Sequence, residues 1–304
     1  MAKSGDEKGV HKSVLLNETI DGLDIQKGDT VVDATMNGGG HSSEVLKRFG
    51  YSVSLIGIDA DMGAIERANK KIGKRENFLA VCENFRNLDR ALSEAGKETA
   101  DRFIFDLGLS SDQLESSGRG FSFKRDEPLA MTFKADSDSD TVTAERIVND
   151  WNADSIAAIL KGYGEETFGK KIAEGIEKAR KDGEIKTTHE LVEIIKSATP
   201  MWYHKKKTHP ATKTFQALRI AANDEINALE EGLAKAFEHL SIGGRIAVIS
   251  FHSIEDRVVK QFFRKLSDDG KAKLVSKKPI APTRDEVLEN PRSRSAKLRI
   301  IEKF

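Results

Sequence analysis

Apolar runs of strand length alternate with helix-like segments from residue 30 to about residue 107. The helix-like segments carry apolar residues at helical spacing, as in 61–72. Near-continuous apolar strands that alternate with helices predict a parallel sheet covered on both faces. The predicted strands are 30–35, 52–59, 78–85 and 102–108, and the clearest helices between them are 42–49 and 61–72.

The alternation stops between about 110 and 212, where helical patterns are found but no convincing strand. It resumes with one long helix at 214–240, a buried strand at 245–252 and a final strand pair at 273–280 and 295–304. We therefore predict one α/β domain, with a mostly parallel, doubly wound sheet, that is interrupted by an all-helical insertion. The predicted domains are 1–112 with 213–304 and, for the insertion, 113–212, whose clearest helices are 144–164, 170–182 and 187–199.

Composition and net charge exclude only a few classes of function. The 304 residues carry 49 Lys and Arg against 49 Asp and Glu, so nucleic-acid binding would have to come from local basic patches. One cysteine, Cys82, a polar start and the lack of a long apolar run predict a cytoplasmic protein with no membrane partner. The acidic tract at 136–140 is interpreted as a solvated loop, and no metal site is predicted.

The segment "VVDATMNGGGHSSEVL" (31–46) turns from the first strand into a helix through three glycines. Ligands bind at the carboxyl ends of parallel strands, and glycines let the backbone approach them closely. The turn lacks the lysine of a nucleoside triphosphate loop and the G-x-G-x-x-G spacing of a dinucleotide site. Asp33 would also repel a pyrophosphate but attract the cationic groups of S-adenosylmethionine, and Asp59 could accept its ribose hydroxyls. The alternative is that both aspartates only cap turns.

The segment "FDLGLSS" (105–111) follows the fourth strand, whose end faces the reacting group in this layout. An exocyclic base amine is a poor nucleophile, so acceptors that hold its N–H groups would assist methyl transfer. Asp106, Ser110 or nearby backbone carbonyls could serve as those acceptors. Asp106 could equally well contact the cofactor or cap the turn.

Two basic segments are candidate RNA contacts. Residues 201–219 contain five Lys or Arg and no acid, with Trp202 and Tyr203 beside the lysines, and a second basic stretch lies at 290–299. Phosphate neutralisation combined with base stacking is how single-stranded RNA is commonly bound. The alternative is a solvated surface loop. The candidate RNA-binding residues are Lys205, Lys206, Lys207, Lys213, Arg257, Arg292 and Arg294.

Several motifs in chain order resemble the RsmH (MraW) family: "HKSVLLNETIDGL", "DATMNGGGHS", "IGIDAD", "DLGLSSDQL", "HPATKTFQALRI", "SFHSIEDR" and "NPRSRSAKLRI". The resemblance covers nearly the whole chain. It implies a class I S-adenosylmethionine-dependent methyltransferase, Rossmann-like, with a helical domain inserted after strand four. The implied reaction is methylation of N4 of a cytidine in the decoding region of bacterial 16S rRNA, on an assembled or nearly assembled small subunit. Homodimer formation is left open.

Transferred position by position, the family's donor-binding residues correspond to Gly39, Gly40, His41, Asp59, Phe85, Asp106 and Gln113. Two departures from the family pattern stand out. Asn37 occupies the first position of the glycine turn, and Ala130 and Thr132 replace an acid and a base.

The alternatives to an RNA methyltransferase are a ribosome-assembly factor without turnover, a DNA amino-methyltransferase and an NAD-dependent oxidoreductase. The departures at Asn37 and Ala130 keep the first of these open. The glycine spacing disfavours the oxidoreductase.

Overall fold

The computed structural model describes residues 13–110, 113–114, 117–133 and 141–304. The acidic tract at 136–140 lies outside these residues. The chain divides into two compact units. One comprises Met1–Gly108 and Leu229–Phe304, and the other comprises Leu109–Ala228.

The first unit contains a single mixed sheet with the strand order β3-β2-β1-β4-β5-β7-β6. β7 runs antiparallel to both of its neighbours, and the other neighbouring pairs are parallel. The order reverses between β1 and β4, which creates a switch point where ligands commonly bind. The strands are β1 (Thr30–Asp33), β2 (Ser54–Asp59), β3 (Phe78–Cys82), β4 (Ala100–Asp106), β5 (Leu240–Ser250), β6 (Ala272–Leu274) and β7 (Lys297–Lys303).

The helices follow the predicted segments closely in most places, and short 3₁₀ turns lie at Gly50–Ser52, Phe85–Asn87 and Pro291–Ser295. In chain order the helices are α1 (Leu16–Leu23), α2 (Gly40–Phe49), α3 (Met62–Ile72), α4 (Leu88–Glu94), α5 (Ala144–Asp150), α6 (Ala153–Gly164), α7 (Gly169–Ala179), α8 (Thr188–Ala198), α9 (Met201–His204), α10 (Thr212–Asn223), α11 (Glu225–Glu238), α12 (Ser253–Asp268) and α13 (Arg284–Glu289).

The central strands send alternate side chains to two separate cores. Val31 and Ile104 pack on one face with apolar residues of α1 and α2. Val32 and Phe103 pack on the other face with residues of α4, α11 and α12. Each fully buried side chain of this size contributes about 1.5–3 kcal/mol of transfer free energy. The prediction of a mostly parallel sheet covered on both faces is confirmed.

Three predicted elements differ from the structure. The single helix at 214–240 is wrong, because Asp224 adopts a left-handed conformation (φ 50°) between α10 and α11. Aspartate tolerates this conformation since its short side chain bonds locally, and here Oδ1 accepts from Asn227 Nδ2 at 2.6 Å. The segment 144–164 forms two helices, with Asn152 capping the second. The strand at 273–280 is limited to β6 and an isolated bridge from Ile280 to Leu298.

The second unit is helical around its own core. Ile147, Leu160, Ile172, Leu191 and Leu218 are all fully buried there. Within the described part of this unit, strand-like pairing is limited to one bridge between Pro128 and Thr187. Among the residues described in the whole chain, no helix is both long and apolar enough to cross a bilayer.

Candidate functional site

Three aspartates end three neighbouring strands at the same edge of the sheet. Asp33 ends β1, Asp59 ends β2 and Asp106 ends β4, and β1 lies between the other two. The exposed fractions of Asp33, Asp59 and Asp106 are 1%, 9% and 9%, respectively. The apolar strand residues before each aspartate enter the two cores, so the strands themselves carry the carboxylates to this edge.

The glycine turn runs directly from β1 into α2. Asn37 and Gly39 both adopt left-handed backbone conformations, with φ of 51° and 70°. Asparagine is one of the few side chains that tolerates this region, so the departure at Asn37 preserves the turn. A Cβ on Gly39 would also lie 3.1 Å from Ala68 Cβ, so glycine fits here for two reasons.

Asp33 is the most deeply buried of the three carboxylates. Ser42, in the first turn of α2, donates a 2.6 Å hydrogen bond to Oδ2. Oδ1 is buried and makes no hydrogen bond with the described residues. Burial raises the pKa of Asp33 to about 6, and the hydrogen bond from Ser42 partly opposes the rise. Contacts with the backbone amides of Thr35 and Ser42 also lower the pKa of Asp33.

Asp59 is bonded through both oxygens to backbone amides. Asn37 N donates to Oδ2 at 2.7 Å, and Asp61 N donates to Oδ1 at 2.8 Å. Burial raises the pKa of Asp59 to about 6, while these two amides lower it. A carboxylate has about four acceptor positions, so Asp59 keeps the capacity to accept further hydrogen bonds.

Asp106 lies against both the turn and α2. Its backbone amide donates to Thr35 Oγ1 at 2.5 Å, and its Oδ2 lies 3.6 Å from His41 Nδ1. Burial raises the pKa of Asp106 to about 7, with repulsion from Asp33 and Glu255 adding to the rise. The three pKa values lie close to neutrality because each carboxylate is desolvated. A ligand that brings positive charge would therefore stabilise the ionised forms.

The chain just before α1 packs against the glycine turn. A Cβ on Gly40 would overlap Ser13 Oγ. Leu15 has a left-handed backbone (φ 51°), and its amide donates to Glu286 Oε1 of α13 at 2.8 Å. The sequence gives no signal for this contact, since Leu15 and Glu286 are 271 residues apart.

The remaining predicted donor-site residues fall in both units. Phe85 begins the 3₁₀ turn after β3. Its ring packs edge-on against that of Phe105, with 5.7 Å between the centroids, and Phe105 directly precedes Asp106 in β4. Ser110 and Gln113 are buried in the second unit and bond reciprocally. Ser110 N donates to Gln113 Oε1 at 2.9 Å, and Gln113 N donates to Ser110 Oγ at 3.1 Å.

The predicted RNA-binding residues are divided between the two units. Lys205, Lys206 and Lys207 are exposed after α9 in the second unit, whereas Lys213 Nζ donates to Glu165 O at 2.6 Å. The three arginines lie in the first unit, where Arg257 belongs to α12 and Arg292 and Arg294 belong to the last 3₁₀ turn.

The structure changes the expectation for Tyr203 and places three further residues. Tyr203 is only 7% exposed, so it does not offer a stacking face as its neighbour Trp202 does. His252 caps α12, with Nδ1 accepting from Glu255 N at 3.3 Å. Ala130 and Thr132 lie in the second unit beside Met131, which has φ 50°.

The MraW methylase family model matches residues 8–304. Among solved structures, an rRNA methylase from Streptococcus thermophilus is 12% identical, with 97% of this chain and 99% of that chain covered and a TM-score of 0.46. A Streptococcus mutans protein, described as a methyltransferase and solved in complex with SAH, is 14% identical, with 97% and 100% covered and a TM-score of 0.46. The family match and the residues, rather than these distant structures, carry the functional conclusion.

The raised pKa of Asp106 predicts a pH-dependent stability. In the unfolded chain this carboxyl group titrates near 3.8, so the folded protein binds its proton more tightly than the unfolded chain does. The stability that this proton contributes to the folded state is lost as pH rises through about 7. Asp106→Asn should therefore raise the free energy of unfolding by about 1–3 kcal/mol at pH 8 and by much less at pH 4.5. Urea unfolding at the two pH values measures this. Asp268→Asn, at an exposed position in α12, is the control, and an equal gain at both pH values would contradict the prediction.

The contact between Gly40 and Ser13 predicts that a substitution at Ser13 restores the stability lost by a substitution at Gly40. Gly40→Ala should cost about 1–3 kcal/mol in the free energy of unfolding, because its methyl group overlaps Ser13 Oγ. Adding Ser13→Gly should recover most of that loss. Gly38→Ala is the matched control, since a Cβ there meets nothing within 4 Å. Strictly additive effects in the Gly40/Ser13 cycle would show that the two positions do not interact.

Proposed function

Because the chain belongs to the MraW methylase family, we propose that it methylates N4 of a cytidine in the decoding region of bacterial 16S rRNA. The sheet order, with its single antiparallel strand, is that of a class I methyltransferase. The methyl donor is S-adenosylmethionine. The observation that supports the site assignment is the set of three buried carboxylates around the glycine turn.

The residues at the switch point fit this donor, which when bound supplies an activated methyl group on a sulfonium centre. The negative charge of Asp33 suits the ammonium group, and Asp59 suits the ribose hydroxyls. Gly39, Gly40 and His41 lie where the turn after β1 enters α2, at the same strand edge as the carboxylates. Phe85 offers a ring for the adenine. A phosphate-bearing cofactor would be repelled by the same three carboxylates.

Asp106 is the residue we propose to act on the acceptor amine. A carboxylate can accept an N–H hydrogen bond and so hold the nitrogen lone pair in line with the methyl group. The pKa of Asp106, raised to about 7 by burial, lies near neutral pH. Its Oδ2 can therefore also take the proton that the amine releases after transfer. Ser110 Oγ already accepts from the Gln113 amide, which leaves its O–H as a donor, and a direct role for Ser110 stays a prediction.

For the substrate, the proposal relies on the exposed basic residues. Lys205, Lys206 and Lys207 would neutralise rRNA phosphates, and Lys213, Arg257, Arg292 and Arg294 are further candidates. We also propose a cytoplasmic location, because the small subunit is the substrate. Homodimer formation stays open.

The direct test uses purified protein, S-adenosylmethionine and small subunits from a strain that lacks the modification. The rRNA is digested and its nucleosides are identified by mass spectrometry. N4-methylcytidine at a single site in the decoding region is the expected product. Binding of donor and subunit without methylation would instead indicate an assembly factor, and methylation of another atom would overturn the N4 assignment.

Asp106→Asn should lower kcat about 10²- to 10⁴-fold, because asparagine cannot take the proton. The KM for the subunit should change little, since Asp106 is not proposed to bind phosphate. Single-turnover methylation measures the chemical step, and Asp268→Asn is the control. A kcat within threefold of the parent would remove Asp106 from the chemistry.

Donor binding should depend on pH through the buried carboxylates. Burial raises the pKa values of Asp33 and Asp59 to about 6 and of Asp106 to about 7, so these groups ionise as pH rises from 5.5 to 7.0. The affinity for cationic S-adenosylmethionine should rise over that range, up to about tenfold per pH unit for each group that must ionise. S-adenosylhomocysteine lacks the sulfonium charge and should show a shallower rise. Calorimetry with both ligands tests this, and equal slopes would place no carboxylate beside the sulfonium.

A further inference from the structure

Trp202 is an exposed indole in the second unit, within the short helix α9. Its residue is 57% exposed, and the preceding Met201 is 71% exposed. Large apolar side chains at adjacent exposed positions cost hydration free energy unless something covers them. The chemistry around Trp202 indicates what could cover it.

The residue that follows Trp202 is held in place by buried contacts. Tyr203 is buried, and its hydroxyl donates a 2.6 Å hydrogen bond to Glu166 Oε2. Glu166 is itself 3% exposed, and its Oε1 accepts from Phe168 N at 2.9 Å. Phe168 packs at 5.0 Å from the Tyr203 ring. The short helix is therefore anchored through Tyr203, the buried neighbour of its exposed tryptophan.

The rings next to Trp202 meet it at steep angles. Phe168 lies at 5.7 Å with an interplanar angle of 62°, and Tyr203 lies at 6.0 Å with an angle of 83°. Neither ring is stacked in parallel on the indole. The indole is 57% exposed, and a planar group such as a nucleobase is a suitable stacking partner for its exposed part.

The charge beside the indole is positive. Lys206 Nζ lies 5.1 Å from the Trp202 ring centroid and 5.0 Å from that of Tyr203. Lys205 and Lys207 are exposed on either side of it, and residues 201–213 contain no acid. A planar apolar face next to three lysines favours a ligand that combines a planar apolar group with negative charge. Single-stranded RNA has both in every nucleotide.

We propose that Trp202 stacks on an unpaired nucleobase of the RNA substrate, while Lys205, Lys206 and Lys207 neutralise the adjoining phosphates. Tyr203 and Glu166 position the helix and do not touch RNA. This inference rests on the proposed function, because it concerns how the same rRNA substrate is bound.

The chain allows a direct optical test, because it contains only two tryptophans. Trp151→Phe leaves Trp202 as the single indole in the full-length protein. This variant is titrated with a single-stranded RNA 12-mer, with an abasic 12-mer of equal charge and with polyglutamate. Saturable quenching by the base-containing RNA alone supports the proposal. Equal quenching by the abasic oligomer or by polyglutamate overturns it, the latter in favour of an acidic protein partner.

Affinity measurements separate the contribution of stacking to RNA binding from the contribution of charge. Trp202→Leu should weaken binding of the 12-mer about 5- to 100-fold, which corresponds to the loss of one stacked base. Met201→Ala, a change at the neighbouring exposed residue, should leave the affinity unchanged. Lys206→Gln should weaken binding of both oligomers and reduce the salt dependence by about 0.7 in the log–log slope. An unchanged affinity in Trp202→Leu would overturn the proposal.

Failure of this inference can be distinguished from failure of the proposed function. Donor affinity in Trp202→Leu, measured by calorimetry, reports whether the methyltransferase unit is intact and should equal that of the parent. If the parent methylates the subunit but Trp202→Leu shows the same KM for it, the stacking role is wrong and the enzyme assignment remains. If Trp202 is quenched by RNA but no methylation occurs, the stacking role stands without the reaction.

Discussion

Desolvation of three buried carboxylates is the constraint on which the rest of the site depends. Asp33, Asp59 and Asp106 end strands that are neighbours in the sheet, and desolvation raises the pKa of each. Such a set is unfavourable in the folded protein unless hydrogen bonds or a ligand offset it. An organic cation is the kind of ligand that would stabilise the three ionised carboxylates. This requirement distinguishes the switch point from one that binds phosphates.

The surrounding backbone supplies hydrogen bonds that offset this desolvation. The left-handed conformation of Asn37 directs its amide at Asp59, and the start of α2 brings Ser42 to Asp33. The glycines therefore do more than make room, because the path they allow also supplies donors to two of the carboxylates. Asp106 receives less of this support from the turn, which is consistent with its pKa being the highest of the three, at about 7.

The sequence predicted much of this, and the limits have physical causes. An apolar run that ends in aspartate is a local pattern, so the ends of β1, β2 and β4 could be predicted. The break at Asp224 could not, since a helical hydrophobic pattern continues on both sides of it. The contact of Leu15 with Glu286 joins distant parts of the chain and has no local signature. The burial of Tyr203 depends on Glu166, 37 residues earlier, so its sequence position beside the lysines was misleading.

The position of β7 has a consequence for synthesis of the protein. β7 is last of the strands in the sequence, yet it lies between β5 and β6 in the sheet. Until it has been translated, β5 presents an open edge from Arg245 to Ser250, a stretch of mostly buried apolar residues. At ordinary elongation rates the roughly fifty residues after β5 take about 3–10 s to be synthesised. During that interval the nascent chain carries an unpaired edge on a hydrophobic strand, and such an edge can pair with other chains.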